Sequence, residues 1–155
     1  MNPFASLQAG TLAKAFTENF EPGMHVFSVR RARSNDMPAI HELISLLFQN
    51  ARSRHLPDDR YVLAERNGIP VGFCHYRFRG KTCFIAGLGV LSQYRNHGYG
   101  SQLLAEVLLD ADENGLETTC LKVRALNTAA KLYMHFGFFE KRMGDVLLLV
   151  RKRQN

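Results

Sequence analysis

Cysteine is scarce in this chain, and its spacing excludes two kinds of site. The three cysteines, Cys74, Cys83 and Cys120, are odd in number and form no CxxC pair. A disulfide framework uses an even set and a structural zinc site uses closely spaced pairs, so we predict neither. All three lie in strand-like segments, where a buried thiol behaves as a small apolar side chain. This usage fits a reducing compartment, and we predict a cytoplasmic protein.

Long apolar runs and targeting signals are also missing. No stretch approaches the roughly 20 apolar residues that cross a bilayer, and no basic segment followed by an apolar block opens the chain. We therefore expect no membrane partner and no signal peptide. With 155 residues, of which 46% are hydrophobic, the chain can bury a core as one domain.

The charge balance is basic and favours anionic partners. The formal net charge is +6 and the sequence pI is about 9.5. A phosphorylated cofactor, an acidic substrate or nucleic acid would each suit this balance. Because aromatic and basic residues do not alternate and no nucleic-acid motif is present, net charge alone supports nucleic acid, and we disfavour that partner.

The chain divides into an N-terminal extension and one domain. Residues 1–23 carry loosely spaced apolar positions that could form a short helix, and Pro22-Gly23 closes the segment. Residues 24–155 are predicted to form a single domain of strand, helix, three strands, helix, strand, helix and two strands. A helix between long strands in this order implies a mixed α/β sheet with helices on both faces. The predicted segments are 25–31, 36–48, 61–65, 71–78, 82–91, 101–114, 118–124, 128–136, 138–142 and 146–150.

A glycine pair opens the second helix. Gly98 and Gly100 follow the predicted strand 82–91, which itself contains Gly87 and Gly89. Glycine within a strand marks a bulge or a close approach, so we expect that strand to separate from a neighbour and leave backbone groups free. Relief of packing against a bulky side chain explains Gly87 and Gly89 equally well.

The loop before the second helix has the character of an anion site. Backbone N–H groups at a helix N-terminus carry partial positive charge and bind phosphate. Glycine at positions 98 and 100 would let a diphosphate approach, while Arg95 adds charge and Ser101 a hydroxyl. A Walker loop is absent, and the dinucleotide fingerprint GxGxxG is incomplete and comes too late in the chain.

Two motifs in order resemble the GCN5-related N-acetyltransferase (GNAT) family. The first is RxxGxG, here Arg95-Asn96-His97-Gly98-Tyr99-Gly100, after a strand that ends Leu88-Gly89-Val90. The second is Asn127-Thr128-Ala129-Ala130-Lys131-Leu132-Tyr133, followed by Gly137-Phe138. The resemblance covers roughly residues 25–150. It implies a GNAT-like acyl-CoA N-acyltransferase fold, in which a twisted, mostly antiparallel sheet contains a splayed parallel pair.

The resemblance also implies a role for each motif residue. Backbone N–H groups of Arg95, Asn96, His97, Gly98, Tyr99, Gly100 and Ser101 would hold the pyrophosphate of acetyl-CoA. Leu88 and Val90 would pair with the pantetheine arm through their backbone, and Asn127 would contact it through its amide. Asn127 is equally explained as a helix cap. Tyr133 would donate a proton to the departing thiolate. No metal is implied.

The general base is not assigned by the sequence. Many relatives that acetylate protein N-termini carry a glutamate before the Val-Arg of the fifth strand, where this chain has Lys122. That difference lowers the expectation of ribosomal-type protein acceptors. Glu65 and His75, on the predicted strands 61–65 and 71–78, are weak candidates for the base. The acceptor amine could also arrive uncharged and need no base.

Taken together, these residues predict an N-acetyltransferase. The acetyl group would pass from acetyl-CoA to a primary amine, on a small molecule, peptide or protein, by direct attack. The alternative is a module of the same fold that binds acyl-CoA without turnover, which the missing carboxylate favours and Tyr133 disfavours. A homodimer through residues 1–23 or the last strand is a further option.

Overall fold

The predicted order of elements is confirmed in the structure. The computed structural model describes residues 26–48, 56–123, 130–144 and 146–154. The strands are β1 (Phe27–Arg31), β2 (Asp59–Arg66), β3 (Ile69–Arg79), β4 (Thr82–Val90), β5 (Thr118–Val123), β6 (Phe139–Met143) and β7 (Val146–Lys152). The helices are α1 (Met37–Leu47), α2 (Tyr99–Glu113) and α3 (Ala130–His135), and short 3-10 turns cover Ser34–Asp36 and Ser92–Tyr94.

All seven strands join one mixed sheet. Their order across the sheet is β1-β2-β3-β4-β5-β7-β6. Only β4 and β5 run parallel, and every other neighbouring pair is antiparallel. This arrangement confirms the predicted mostly antiparallel sheet with one parallel pair.

The turn between β2 and β3 follows from its two central residues. Asn67 has φ 51° and Gly68 has φ 75°. Asn and Gly tolerate this left-handed region better than other residues, and a two-residue hairpin loop needs it at both positions. The Asn-Gly dipeptide therefore forms the two-residue loop beside which Arg66 pairs with Ile69.

Helix α1 is preceded by a short turn. Ser34 and Asn35, residue types that favour a helix N-cap, lie within that turn and do not cap the α-helix. The α-helix begins at Met37, after the 3-10 turn. The Asp36 carboxylate accepts the Arg33 backbone N–H at 2.7 Å and both terminal nitrogens of Arg30 at 2.7 and 2.9 Å. These charge-assisted bonds hold residues 34–36 in a tight turn, so regular helix starts later.

Two apolar cores lie on opposite faces of the sheet. On one face α2 buries a stripe of side chains, Leu103, Leu104, Val107, Leu108 and Ala111, as its periodicity predicted. On the other face α1 buries Ile40, Leu43 and Ile44 against β2 and β3. Each fully buried Leu or Ile contributes about 1.5–3 kcal/mol, so the two faces hold both helices on the sheet.

A buried carboxylate ties α2 to the sheet. Asp110 is 2% exposed, and its Oδ2 accepts the Tyr76 hydroxyl at 2.6 Å and Arg60 Nη1 at 3.1 Å. The Asn114 side-chain amide donates to Oδ1 at 3.0 Å. Buried charge is tolerated only when it is paired and hydrogen-bonded, which these donors achieve. The network fixes α2 relative to β2 and β3.

Candidate active site

The parallel strands β4 and β5 pair briefly and then separate. Their ladder has three steps, Thr82 with Thr118, Cys83 with Thr119 and Phe84 with Cys120. Beyond Phe84, β4 runs on to Val90 and β5 runs on to Val123 without pairing to each other. The predicted separation of this strand from a neighbour is therefore confirmed. A gap opens between two strand edges in the middle of the sheet.

The β4 edge presents free backbone groups to this gap. The Leu91 N–H donates to the Val71 carbonyl at 2.8 Å. Because backbone groups alternate along an antiparallel ladder, those of Gly89 turn toward β3, and those of Leu88 and Val90 turn toward the gap. The Val90 carbonyl accepts Arg95 Nε at 3.0 Å, which agrees with that direction.

Gly89 is explained by packing. A Cβ atom there would lie 2.7 Å from Leu47 Cδ1 at the end of α1. Gly87 faces the same helix end and lies beside a register shift, because His75 pairs with Gly87 and the next residue, Tyr76, pairs with Ile85. The bulge that glycine indicated is therefore present. Relief of packing accounts for Gly89, and the short β4–β5 ladder accounts for the gap.

The N-terminus of α2 is open. Gly98 is the N-cap residue, with φ 84°, and no side chain caps the helix. The first bond of the helix runs from the Gln102 N–H to the Gly98 carbonyl at 3.1 Å. The N–H groups of Tyr99, Gly100 and Ser101 therefore have no partner within the helix. Such a terminus carries partial positive charge and favours an anion.

The side chains of the motif either leave this terminus clear or pack elsewhere. Arg95, Asn96 and His97 are exposed, and Asn96 has φ 65°. The Tyr99 ring is buried and packs edge-on against Phe27, at 5.9 Å between ring centroids. Only the backbone of Tyr99 is thus available to a ligand. Ser101 is half-buried in the first turn of α2.

Of the two helix-opening glycines, Gly98 is the one that backbone geometry requires. At Gly98 an added Cβ would meet no atom within 4 Å, so the positive φ is what requires glycine. At Gly100 a Cβ would lie 3.4 Å from Leu132 Cδ2 on α3, which is ordinary contact. Small residues at these positions keep the surface over the helix terminus open.

Tyr133 lies on the α2 side of the gap. It is 4% exposed, packs edge-on against Phe138 with 5.5 Å between centroids, and shares a core cluster with Leu88 and Val90. Burial, and to a smaller extent Cys74, raise the pKa of the Tyr133 hydroxyl. The phenol is therefore a proton and hydrogen-bond donor throughout the neutral pH range.

A cleft of about 670 Å³ occupies the opposite side of the gap. Its lining comes from β3, β4, β5 and β7: Arg77, Phe84, Ile85, Ala86, Cys120, Leu121, Lys122, Val146 and Leu148. Phe84 and Val146 are 42% and 41% exposed, which is high for large apolar side chains. On one side of the gap lie the β4 backbone edge and the N-terminus of α2. On the other side lies the cleft, which is lined by apolar and cationic side chains.

His75 and Arg77 share one buried carboxylate. His75 Nε2 lies 2.9 Å from Asp59 Oδ1, and Arg77 Nε donates to the same oxygen. Burial alone would raise the pKa of Asp59, but hydrogen bonds from Arg77, the Leu56 N–H and His75 outweigh it and lower the pKa to about 2. His75 is thus held beside a permanent anion.

Glu65 is occupied by a structural contact. Its Oε1 accepts Arg30 Nε at 2.8 Å, and Arg30 is shared with Asp36. That oxygen is therefore engaged with Arg30 and is not a free acceptor. Strand β3 lies between Glu65 and β4. Neither Glu65 nor His75 is presented to the gap as a free base.

The thiols have the character of core groups. Cys74 and Cys83 are buried and Cys120 is half-buried, and all three are unpaired. Burial raises the pKa of each, that of Cys83 to about 12. A thiol that stays protonated is a poor nucleophile. Among residues 26–48, 56–123, 130–144 and 146–154, no group of three His, Cys, Asp or Glu is placed to hold a metal ion.

The sequence matches the Acetyltransferase (GNAT) family over residues 26–138. The chain belongs to this family. The match contains the β4 edge, the RxxGxG loop, α2 and Tyr133, so the elements around the gap are those of a GNAT protein. Asn127 and residues 49–55 lie outside the described residues, as does the N-terminal extension.

Relatives of known sequence and structure agree with this assignment. One is the [Ribosomal protein bS18]-alanine N-acetyltransferase of Haemophilus influenzae, 34% identical over 85 residues, which are 53% of this chain and 58% of that enzyme. The match thus spans little more than half the length of that curated relative. A solved structure of Arabidopsis thaliana Naa50, in complex with the bisubstrate analogue CoA-Ac-MVNAL, is 25% identical with a TM-score of 0.72, covering 82% of this chain and 99% of that one.

The fold is also shared with a bacterial enzyme of low identity. The ribosomal-protein-S18-alanine N-acetyltransferase of Escherichia coli superposes with a TM-score of 0.72 at 19% identity, covering 82% of this chain and 94% of that one. This likeness shows the GNAT fold. In the part of the chain that the structure describes, the helices are all too short or too polar to span a bilayer.

One residue of this GNAT site, Arg77, was not predicted from the sequence. Arg77 lines the cleft, yet it comes from β3 and belongs to neither motif. The alternation of β3 carried the signal, because Arg77 shares a strand face with His75. Only the pairing of β3 with β4 shows that this face borders the gap.

Proposed function

We propose that this GNAT protein transfers the acetyl group of acetyl-CoA to a primary amine. One observation carries the proposal. An unpaired strand edge, at Leu88 and Val90, leads directly into an uncapped helix N-terminus at Gly98. The edge suits an extended chain with amide groups, and the terminus suits a diphosphate. CoA contains both groups: the pantetheine amides lie next to the thioester, and the diphosphate lies further along, toward the nucleotide.

The chain's own groups fit each part of the cofactor. Backbone groups of Leu88 and Val90 would bind the pantetheine amides, and Arg95 would have to release the Val90 carbonyl if that atom is used. The N–H groups from Arg95 to Ser101 would hold the pyrophosphate. Asn127 is proposed to contact the pantetheine through its amide. The acetyl thioester would then reach the gap between Tyr133 and the cleft.

The reaction would be a direct displacement. The amine nitrogen bonds to the thioester carbon, the C–S bond breaks, and the amine loses one proton while the CoA sulfur gains one. We propose that Tyr133 donates to the departing sulfur as general acid and recovers its proton from solvent. Its buried, protonated hydroxyl in the same cluster as Leu88 and Val90 supports this role. A backbone N–H near Val90 would polarise the carbonyl.

The cleft offers a way to obtain an uncharged amine without an assigned base. Lys122 lines it and is exposed, whereas Arg77, which also lines it, is already paired with Asp59. Positive charge near an ammonium group lowers its pKa, which favours the neutral nucleophile. Glu65 and His75 are not needed in this proposal, since both are held by other side chains.

Gly98→Glu is expected to weaken acetyl-CoA binding by about 100-fold. An added Cβ there meets no protein atom within 4 Å, so the variant can fold while it places a carboxylate beside the helix terminus proposed for the diphosphate. Juxtaposed like charges cost several kcal/mol, which corresponds to this loss. Isothermal titration with acetyl-CoA measures it.

Gly115→Glu is the matched control for that variant. Gly115 also has positive φ, 74°, with nothing within 4 Å of a Cβ, but it follows the far end of α2. Both variants carry the same left-handed strain of about 1–2 kcal/mol, so both lose similar thermal stability. Only Gly98→Glu loses affinity. Equal affinity of the two variants for acetyl-CoA would remove the helix terminus from the cofactor site.

A further inference from the structure

The face of the sheet outside the gap carries a row of cations. Lys122 on β5 and Lys141 on β6 both pair with Leu148 on β7. Residues directly opposite in neighbouring strands share a face, so the two lysines flank Leu148 on the face that forms the cleft. Both are exposed. Arg77 lines the same cleft from the other side of the gap.

Carboxylates are scarce on these strands. β5, β7 and β6 together contain five basic residues, Lys122, Lys141, Arg142, Arg151 and Lys152, and one acidic residue, Glu140. Glu140 pairs with Leu149, which is buried in the α2-side core, so Glu140 lies on the opposite face. Among the described residues that line the cleft, the two charged ones are cations.

Apolar side chains lie exposed between the cations. Phe84, Val146 and Phe139 are 42%, 41% and 47% exposed, and Phe139 pairs with Val150, two residues along β7 from Leu148. Helix α1 packs on β3 and β4 on this face, and α2 packs on the other. The surface around the cleft is therefore extended, apolar and positively charged.

We infer that the acceptor is a peptide amine followed by acidic and apolar residues, recognised by Lys122, Lys141 and the exposed apolar side chains of the cleft. This inference rests on the proposed function, because it assigns the second substrate of the same site. Charge complementarity selects for glutamate or aspartate near the amine and against arginine. The length of the row, across three strands, suits an extended peptide better than a compact amine.

Three hexapeptides with one sequence frame test the inference. All share a free serine N-terminus, a Leu-Phe pair at the fourth and fifth positions and the same sixth residue. They differ only in two glutamates, two glutamines or two arginines at the second and third positions. Arginine replaces lysine here because it adds no second acceptor amine. Acetylated peptide is measured by mass spectrometry, and peptide binding to the CoA-bound protein is measured by fluorescence anisotropy.

The expected kcat/KM falls in the order acidic, neutral, basic, with about tenfold or more between acidic and basic peptides. Lys122→Glu abolishes or reverses that ratio. Any effect of the new carboxylate on the attacking amine is common to all three peptides, so the ratio reports recognition alone. Lys152→Glu makes the same charge change at the far end of β7, opposite Thr118, and is expected to keep the ratio.

The outcomes separate this inference from the proposed function. A basic peptide that is used or bound as well as the acidic one overturns the inference, as does an equal effect of Lys122→Glu and Lys152→Glu. Acidic preference in binding that Lys122→Glu removes, without transfer to any peptide, supports the inference and contradicts the acetyltransferase proposal. Raised salt is expected to narrow the preference, since the lysines are exposed and their charge is screened.

Discussion

Tyr133→Phe is expected to lower kcat for acetyl transfer by about 100-fold or more while leaving the dissociation constant of acetyl-CoA nearly unchanged. General acid catalysis contributes about 10²–10⁴-fold, and phenylalanine cannot donate to the departing sulfur. The ring itself packs on Phe138, and phenylalanine preserves that contact. Steady-state kinetics with the acidic hexapeptide and titration with acetyl-CoA measure the two quantities.

A control variant separates chemistry from structure. Tyr94→Phe removes a tyrosine hydroxyl to which we assign no chemical role, from the turn after β4. It is expected to keep kcat within about twofold, because phenylalanine keeps the half-buried ring with its packing and removes only the hydroxyl. A Tyr133→Phe protein that folds with wild-type thermal stability and turns over at the wild-type rate would exclude Tyr133 as the acid. The acetyl transfer itself would then proceed without one.

Asp110→Ala is expected to lower the free energy of unfolding by about 3 kcal/mol, since removing one partner of a buried ionic network leaves the others unpaired. The Tyr76 hydroxyl loses a 2.6 Å bond to this carboxylate, and Tyr76 is 1% exposed. Arg60 loses its contact at 3.1 Å. For a domain of this size the melting temperature would fall by about 10 °C. Thermal and urea unfolding measure the change.

The same helix provides the control for this prediction. Asp112 lies two residues along α2 and is 39% exposed, with Arg153 Nε at 3.9 Å. An exposed pair at that distance contributes little, so Asp112→Ala is expected to stay within about 1 kcal/mol of wild type. If Asp110→Ala were equally mild, the carboxylate would not hold α2 on the sheet.

Local patterns predicted the parts of the site that depend on local geometry. The RxxGxG loop requires Gly98 in the left-handed region directly before a helix, and φ is a property of one residue. The Asn67-Gly68 turn is similar, because its dihedral angles fix a two-residue hairpin. The apolar stripe of α2 follows from a 3.6-residue period. Each of these signals is contained within a few residues of sequence.

Contacts between distant segments could not be predicted in this way. Glu65 meets Arg30, 35 residues away, and Asp59 meets Arg77, 18 residues away. Nothing within either segment indicates its partner, so Glu65 and His75 remained candidates as bases until the strands were paired. In the same way, the bonds from Arg30 to Asp36 hold a 3-10 turn before α1, which no local pattern within residues 34–36 indicated.

The two lysines near the cleft also come together only through contacts between distant segments. The sequence alone shows that Lys122 differs from the glutamate of many relatives. That Lys141 lies near Lys122 follows only from the strand order β5-β7-β6, in which the last strand lies between two earlier ones. The register through Leu148 then places both lysines on the sheet face that forms the cleft. The sequence alone predicts the residues of the proposed cofactor side, whereas the proposed acceptor side depends on how the strands pair.

Amide hydrogen exchange with and without saturating acetyl-CoA tests whether the β4 edge and the N-terminus of α2 bind this cofactor. We predict slower exchange at the N–H groups of Leu88, Val90, Tyr99, Gly100 and Ser101, which the structure leaves facing the gap or without a helical partner. Unchanged exchange at these five amides, or no binding of acetyl-CoA at all, would contradict the account.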